Sequence, residues 1–346
     1  MTAPPRVGIT LPGAASPQEA ARLAARAEAA GCEAVWVLDV RREPYLLAGA
    51  AVGGTSTVEV GTNVAVAFAR SPTVTATAAW DLAVWSGGRF VLGLGSQVGP
   101  TLKARFGVEA DHPAPRMRDY VHAVRACFEA FRRGHGRYDG EFYSIRRPAF
   151  QPGPEPLAAD PPIYLAAVNP IMTRVAGEVG DGLAAHPFST PEYVRDVLRP
   201  AIAEGAARAG RPAPPVFLQV VVAESREAAA YQMIAYTVPG YRAVLAHHGL
   251  GDVADRVMAA AGEGKRVEAR DLIDREYLDL LGVVVGDDLA AGLERWRGLV
   301  DRIALSVPWF GVSNEEQVAQ LERVIDRIPA LTARSSQMSN SESDGS

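Results

Sequence analysis

The chain has 346 residues, of which 48% are hydrophobic and 22% are charged, and its formal net charge is -5. This composition supports a large buried core and excludes a globally disordered chain. The only lysines, Lys103 and Lys265, stand among scattered arginines, so no basic stripe is present for nucleic acid. No apolar run approaches the roughly 20 residues that span a bilayer, and no apolar leader follows Met1, which predicts a cytoplasmic protein without a membrane partner.

The first segment sets a pattern of one buried strand followed by one helix. Residues 7–11 form an apolar run, and residues 16–19 (SPQE) have the form of a capping box with proline at the first helical position. The same alternation predicts further strands at 34–39, 58–67, 89–94, 162–167, 182–186, 215–222 and 302–307. It predicts helices at 72–86, 116–133, 170–180, 191–209, 225–248 and 287–300, and a last helix from Ser313.

Eight mostly continuous apolar strands that alternate with helices are typical of strands buried on both faces. The pattern favours a closed parallel (β/α)8 TIM barrel over a doubly wound open sheet. Two stretches interrupt the repeat. Residues 137–161 predict a hairpin and an extended loop before strand five, and residues 249–286 add helical and loop material before strand eight. We expect one domain over residues 1–331 and a disordered tail over 332–346, where apolar residues are nearly absent.

In barrels of this kind the reactive groups lie where strands end. That filter selects Asp39, residues 63–70, Ser96, Gln97, residues 168–170, His186 and Trp309. A metal site is not expected, because strand one is not followed by His-x-His and the two cysteines lie outside any metal-binding cluster. A Schiff-base barrel needs a lysine on a strand, and both lysines here lie in predicted loops or helices. A glycosidase barrel needs two carboxylates at strand ends, and only Asp39 is clearly one. The site therefore lacks its own acid, base and metal, which indicates that a cofactor supplies the reactivity.

Four sequence blocks carry a resemblance to a known family. They are residues 30–39 (AGCEAVWVLD), 60–64 (VGTNV), 86–96 (SGGRFVLGLGS) and 162–170 (PIYLAAVNP) with 176–182 (AGEVGDG). In this order, at these barrel positions, they resemble the bacterial luciferase-like flavin and deazaflavin oxidoreductases, and most of all the coenzyme F420 branch. The resemblance implies a hydride transfer between coenzyme F420 and a small organic substrate. An FMN-dependent luciferase-like monooxygenase and a barrel that binds flavin without turnover stay open as alternatives.

The resemblance also implies which residues contact the cofactor. They are Asp39, Asn63, Val64, Gly95, Ser96, Ala167, Val168, Asn169 and Pro170. Relatives carry a non-proline cis peptide bond at the position of Asn63 and Val64, so the same bond is expected here. Members of the family are commonly dimers, so a homodimer is expected as well.

Each of these positions also has an ordinary structural interpretation. Gly93 and Gly95 either let a planar ring lie against the backbone or permit tight strand packing. Residues 167–170 present a phosphate site at a helix start or simply a well-capped helix. Asp39 contacts the cofactor or caps the next helix; we favour the cofactor, in which case Asp39→Ala weakens cofactor binding more than it lowers thermal stability.

The chain departs from its relatives at two positions. Where some deazaflavin enzymes place a histidine and a glutamate for proton transfer, this sequence has Val40 and Val98, so sugar-phosphate dehydrogenase chemistry is not expected. The catalytic acid and base stay unknown, with Gln97, Arg116 and His186 as the remaining candidates. A basic group formed by Lys103, Arg105, Arg116 and Arg118 has two interpretations, a contact for an anionic cofactor tail or a solvated helix face.

Overall fold

The computed structural model describes residues 5–146 and 157–343, with side chains as far as residue 331. Its central sheet has eight parallel strands: β1 (Arg6–Thr10), β2 (Ala34–Val37), β3 (Glu59–Thr62), β4 (Phe90–Gly95), β5 (Ile163–Ala167), β6 (Gly182–Ala185), β7 (Val216–Ala223) and β8 (Arg302–Ser306). Each strand pairs with the next, and β8 pairs with β1, so the sheet closes. The predicted (β/α)8 barrel is confirmed.

The helices surround this barrel. They are α1 (Pro17–Ala29), α2 (Pro44–Gly53), α3 (Pro72–Trp85), α4 (Gly99–Phe106), α5 (Pro113–Arg133), α6 (Pro170–Val179), α7 (Pro191–Tyr193), α8 (Arg199–Arg208), α9 (Arg226–Tyr236), α10 (Arg242–Ala246), α11 (Gly251–Gly262), α12 (Arg266–Asp271), α13 (Arg275–Leu280), α14 (Leu289–Glu294) and α15 (Asn314–Ser343). A π-helical turn, Val194–Leu198, joins α7 to α8. Ser16 and Glu19 form the predicted capping box of α1. Among the described residues no helix combines the length and the apolar character that a membrane crossing requires.

The two interruptions of the repeat lie where the sequence places them. Before β5, strands Tyr138–Asp139 and Ser144–Ile145 form an antiparallel hairpin. The buried Asp119 holds this hairpin, because its carboxylate accepts hydrogen bonds from the Tyr138 hydroxyl and from the N–H groups of Phe142 and Tyr143. The predicted extended loop after the hairpin lies mostly outside the described residues.

The second insertion lies between β7 and β8. It contains α11 to α13 and a short strand, Val284–Val285, which extends the sheet by pairing with the end of β7. The single helix predicted over 225–248 is wrong: α9 ends at Tyr236, a 3-10 turn spans Pro239–Tyr241, and α10 follows. The assignment of residues 1–331 to one domain and of 332–346 to a disordered tail stays a prediction.

The amino-terminal half of the barrel interior is filled by aromatic rings. Trp36 stacks on Phe217 with 4.3 Å between ring centroids, and Tyr164 lies 6.2 Å from Trp36. Two glycines make room for these rings. A Cβ atom on Gly61 would lie 2.5 Å from Cζ3 of Trp36, and one on Gly182 would lie 2.5 Å from the Tyr164 ring. These rings close the amino-terminal half of the interior, whereas barrels of this architecture place their sites at the carboxyl-terminal mouth.

Candidate functional site

A hydrogen bond across the barrel forms the floor of the mouth. Asn63 and Gln219 come two residues after Gly61 and Phe217, so they point inward one layer nearer the mouth than the aromatic rings. Nδ2 of Asn63 donates to Oε1 of Gln219 at 2.9 Å. The strands that carry them, β3 and β7, lie on opposite sides of the barrel. The mouth thus has a closed polar floor.

Thr10 contributes an unpaired hydroxyl to the same layer. Its register with Trp36 places it on the inner side of β1, and it is 2% exposed. Its Oγ1 has no hydrogen-bond partner among the described residues. A buried hydroxyl without a partner indicates a position where a ligand or an ordered water supplies one.

The backbone between Asn63 and Val64 is a cis peptide bond, as expected from the resemblance. The prediction of one continuous strand over 58–67 is wrong, because β3 ends at Thr62 and Ala65–Val66 pairs separately with β4. Val64 then packs on β4, where a Cβ atom on Gly95 would lie 2.6 Å from its Cγ2. Gly95 and Val64, two predicted cofactor residues, are in contact.

Tight packing explains both glycines of β4. A Cβ atom on Gly93 would lie 1.9 Å from the carbonyl oxygen of Thr62, a distance that no side chain tolerates. Gly95 accommodates Val64 in the same way. The structure thus supports the packing interpretation for both positions, and a contact between Gly95 and a cofactor stays a prediction.

Asp39 is a buried anchor for the segment that follows the cis bond. Its Oδ2 accepts the N–H of Val66 at 3.0 Å and the guanidinium of Arg70 at 2.7 Å. Burial opposes the charge of Arg70, but hydrogen bonds to Glu43 and Asp39 raise its pKa above the ordinary value. Glu43, not Asp39, occupies the N-cap of α2, so the helix-cap interpretation of Asp39 is wrong. Contact between Asp39 and a cofactor stays a prediction.

Ser96 and Gln97 follow β4 at the rim of the mouth. Gln97 has a φ of 58°, in the left-handed region, and its Oε1 accepts the N–H of Val98 at 2.9 Å. The side chain therefore bonds its own backbone. A carboxamide does not titrate, so Gln97 serves as a hydrogen-bonding group rather than as an acid or base.

The end of β5 delivers the start of α6 to the rim. Ala167 and Val168 are buried, and Asn169 is the N-cap residue before Pro170. Asn169 makes no side-chain cap; its Nδ2 donates instead to the carbonyl oxygen of Gly240 at 3.0 Å. The well-capped helix is therefore not observed. Uncapped N–H groups at a helix start favour an anion.

His186 follows β6 and is half-buried. Its Nδ1 accepts the N–H of Phe188 at 3.0 Å, and its ring centroid lies 4.7 Å from that of Tyr236 and 4.3 Å from that of Tyr241. Burial lowers the pKa of His186 to about 3. The imidazole is therefore neutral near pH 7, so it does not serve as a cationic acid there.

The 3-10 turn Pro239–Tyr241 brings three of these rim loops together. Gly240 accepts the hydrogen bond from Asn169, and a Cβ atom on it would lie 3.6 Å from Cγ1 of Val98. Tyr241 packs on His186. Sequence analysis missed Tyr236 and Tyr241, although the pair Pro239-Gly240 is a strong turn signal inside the predicted helix.

The predicted basic group is divided in the structure. Arg118 pairs with Glu178, and Lys103 pairs with Glu109. Arg105 donates to the carbonyl oxygen of Asp39 at 3.3 Å. The solvated-face interpretation thus holds for the two paired residues, while Arg105 lies against the loop after β2.

Arg116 lies in α5 and packs near Phe68, in the segment that follows β3. Its Nε donates to the carbonyl oxygen of Asp111 at 3.2 Å, and its guanidinium lies 4.7 Å from the ring of Phe142 and 6.0 Å from that of Phe68. An arginine stays protonated in proteins. Arg116 is therefore an anion-binding or stacking group and not the missing acid or base.

Comparisons with known proteins agree with this architecture. Residues 1–302 match the model of the family described as luciferase-like monooxygenase. An uncharacterized protein of Mycobacterium tuberculosis is 38% identical over 314 residues, which cover 86% of this chain and 91% of that protein. A second protein of that species, provisionally named a coenzyme F420-dependent oxidoreductase, is 31% identical over 300 residues, covering 80% and 86%.

Among solved structures, the coenzyme F420-dependent tetrahydromethanopterin reductase from Methanopyrus kandleri superposes with a TM-score of 0.75. It is 22% identical, and the match covers 92% of this chain and 98% of that one. At this identity the likeness shows the fold. The (β/α)8 barrel is thus shared along nearly the whole length of both chains.

Proposed function

Because the chain belongs to the luciferase-like monooxygenase family, we propose that it is a coenzyme F420-dependent oxidoreductase that transfers a hydride between the deazaflavin and a small organic substrate. The relative that covers 80% of this chain and carries a coenzyme F420 name supports this choice of cofactor. The family description equally names monooxygenases, so an FMN-dependent monooxygenase is the second candidate. The two candidates use the same scaffold and differ in the ring that it holds.

The observation that carries the proposal is a mouth with hydrogen-bonding groups in which we find no acid and base pair among the described residues. Val40 and Val98 occupy the two positions where, by the resemblance, some deazaflavin enzymes place proton-transfer groups. His186 is held neutral, and Asp39 is engaged by Arg70. Such a site binds, orients and excludes water, while the redox step belongs to a cofactor.

The residues of the mouth fit a flat ring with polar edges. Val64 and Gly95 offer an apolar surface, and the unpaired Oγ1 of Thr10 offers a hydrogen bond from the barrel wall. The uncapped start of α6 at Asn169 suits the phosphate of the cofactor tail. When bound, the deazaflavin supplies the centre that accepts or gives the hydride.

Titration of the protein with coenzyme F420 and with FMN, followed by calorimetry, tests the proposal. We expect coenzyme F420 to bind more tightly, and the reverse order would replace the first candidate with the second. Thr10→Val keeps the shape of the side chain and removes the hydroxyl, so it should weaken binding by about 2–10-fold. Thr77→Val is the matched control, because Thr77 lies in α3 and its hydroxyl bonds the carbonyl oxygen of Thr73.

The homodimer is proposed on the composition of two neighbouring helices. Helix α2 contains no charged residue, and Asp81 is the one charged residue of α3, so both helices are largely apolar. Leu46, Val74 and Trp85 on these helices are 61%, 53% and 61% exposed. Helices of this composition are typically buried on all sides. In the proposed homodimer, a second copy of the chain covers these exposed side chains. A cytoplasmic location is also part of the proposal.

A further inference from the structure

The hydrogen bonding of His186 determines which ring nitrogen carries the proton. Its Nδ1 lies 3.0 Å from the backbone nitrogen of Phe188, which has only a proton to donate. A ring nitrogen that accepts an N–H bond is unprotonated, so the proton of the neutral imidazole is on Nε2. Protonation of the ring would place two donors against each other at Nδ1. The local backbone thus stabilises one neutral tautomer.

Nε2 is then a donor without an acceptor. Among the described residues no group accepts a hydrogen bond from it. The ring is only half-buried, and it follows β6 at the mouth of the barrel. An N–H group in this position contributes little to the fold. It does offer a fixed donor to a molecule bound in the mouth.

The walls around this donor are aromatic and uncharged. Tyr236 meets the imidazole nearly edge-on, with 79° between the ring planes, and Tyr241 is tilted by 42°. Trp309 Nε1 donates to the Tyr236 hydroxyl at 3.4 Å, which places the loop after β8 on the same side. Burial raises the pKa of Tyr236 to about 12 and raises that of Tyr241, so neither phenol is ionised at neutral pH.

We infer that His186, Tyr236, Tyr241 and Trp309 form a substrate subsite in which Nε2–H donates a hydrogen bond to an uncharged carbonyl or hydroxyl oxygen of a flat apolar substrate. This inference rests on the proposed function, because it places the oxygen at the reacting end of a hydride transfer. An anionic group is disfavoured here, because its desolvation would not be offset by a facing cation. The titratable groups facing His186 are the two tyrosines.

His186 therefore serves as a neutral donor and not as a proton source. As a carbonyl gains a hydride, negative charge would develop on its oxygen, and a preorganised N–H donor would stabilise that charge without surrendering its proton. Solvent water would then supply the proton that converts the alkoxide into the alcohol. The substrate class follows from the same chemistry: aromatic or alicyclic ketones, aldehydes and secondary alcohols fit, whereas carboxylates and phosphates do not.

Imidazole 15N NMR tests the tautomer directly. We expect His186 to show one protonated and one unprotonated nitrogen, unchanged from pH 8 to pH 5. Equal populations on both nitrogens, or titration of His186 within this range, would overturn the inference. This measurement requires neither cofactor nor turnover.

Binding of two matched probes tests the substrate class. Acetophenone and benzoate have similar shapes, but only benzoate is charged at pH 7. We expect acetophenone to bind the cofactor-loaded protein at least tenfold more tightly and to shift the Nε2 resonance. His186→Phe keeps a ring and removes the donor, so it should weaken acetophenone binding by about fivefold or more. His186→Gln keeps a side-chain N–H, so its affinity for acetophenone should stay within about threefold of that of the native chain.

Three outcomes contradict the subsite: no acetophenone binding, a preference for benzoate, or unchanged acetophenone affinity in His186→Phe. Circular dichroism of each variant establishes that it is folded. Failure of the proposed function is separable, because it appears in the titrations with coenzyme F420 and FMN. A protein that prefers FMN but shows the expected His186 tautomer and probe affinities retains the subsite and loses only the cofactor assignment.

Discussion

Substitution of Asp39 distinguishes a buried anchor from an exposed strand-end carboxylate. An exposed carboxylate at a strand end contributes little to stability, so Asp39→Ala would then affect cofactor binding alone. In the structure the Asp39 side chain is 3% exposed and pairs with Arg70, whose own side chain is 14% exposed. The expectation based on the sequence is therefore revised: Asp39→Ala should lower both stability and cofactor affinity.

The magnitude follows from the two hydrogen bonds that Oδ2 accepts. Removing the carboxylate leaves the buried N–H of Val66 without a partner, at a cost of about 1–3 kcal/mol. It also leaves the guanidinium of Arg70 with Glu43 as its remaining carboxylate. We expect a total loss of about 3 kcal/mol in the free energy of unfolding. This value is at the low end of the cost of removing one partner from a buried ion pair, because Glu43 still pairs with Arg70.

Glu43→Ala is the matched control, because it removes the other carboxylate partner of the same arginine. The Glu43 side chain is 48% exposed, so solvent screens the pair and the loss should be about 0.5 kcal/mol. Equilibrium urea unfolding of the three proteins measures both values, provided that the m-value is unchanged. Equal losses in the two variants, or no loss in Asp39→Ala, would refute the argument that burial determines the contribution of each carboxylate.

Two further predictions concern other parts of the chain. Trp85→Glu should convert the proposed homodimer into a monomer, as measured by light scattering, while Val267→Glu, which changes a residue 57% exposed on α12, should leave the mass unchanged; a monomeric native chain would contradict the proposed interface. Burial alone would raise the pKa of Glu28, but N–H groups of residues 56–58 and the Thr57 hydroxyl lower it to about 2. A lowered folded-state pKa stabilises the fold above the ordinary pKa and ceases to do so as pH falls toward 2. Glu28→Gln should therefore cost about 1–2 kcal/mol at pH 7, after allowance for solvent screening, and about a quarter of that near pH 2.5 by urea unfolding; a difference that does not vary with pH would contradict this assignment.

Local patterns were sufficient to predict the barrel. Each barrel strand is a nearly continuous apolar run, and the capping boxes at Ser16 and Ser313 mark where helices begin. Errors occur where a strand or helix contains its own break. The cis bond after Asn63 divides the predicted third strand, and Pro239-Gly240 divides the predicted helix 225–248.

The site depends on contacts that a local pattern does not contain. The hydrogen bond between Asn63 and Gln219 joins residues 156 positions apart, and Asp39 meets Arg70 across two loops. Neither pair has a sequence signature, because the closure of the barrel brings the partners together. Tyr236 and Tyr241 were missed for the same reason, since their contacts with His186 depend on how α9 and the turn before α10 pack on the loop after β6.

Cofactor and substrate are proposed to contact different parts of the chain. The proposed ring contacts lie on the barrel itself, at Thr10 and along β3 and β4. The proposed substrate contacts combine His186, after β6, with tyrosines of α9 and of the turn before α10. A change in Tyr236 or Tyr241 therefore alters the wall around the donor without touching the barrel floor between Asn63 and Gln219. In this proposal the segment around α9 and the turn before α10 varies the substrate while the barrel keeps one cofactor, because binding residues on loops change more freely than strands that form a closed sheet.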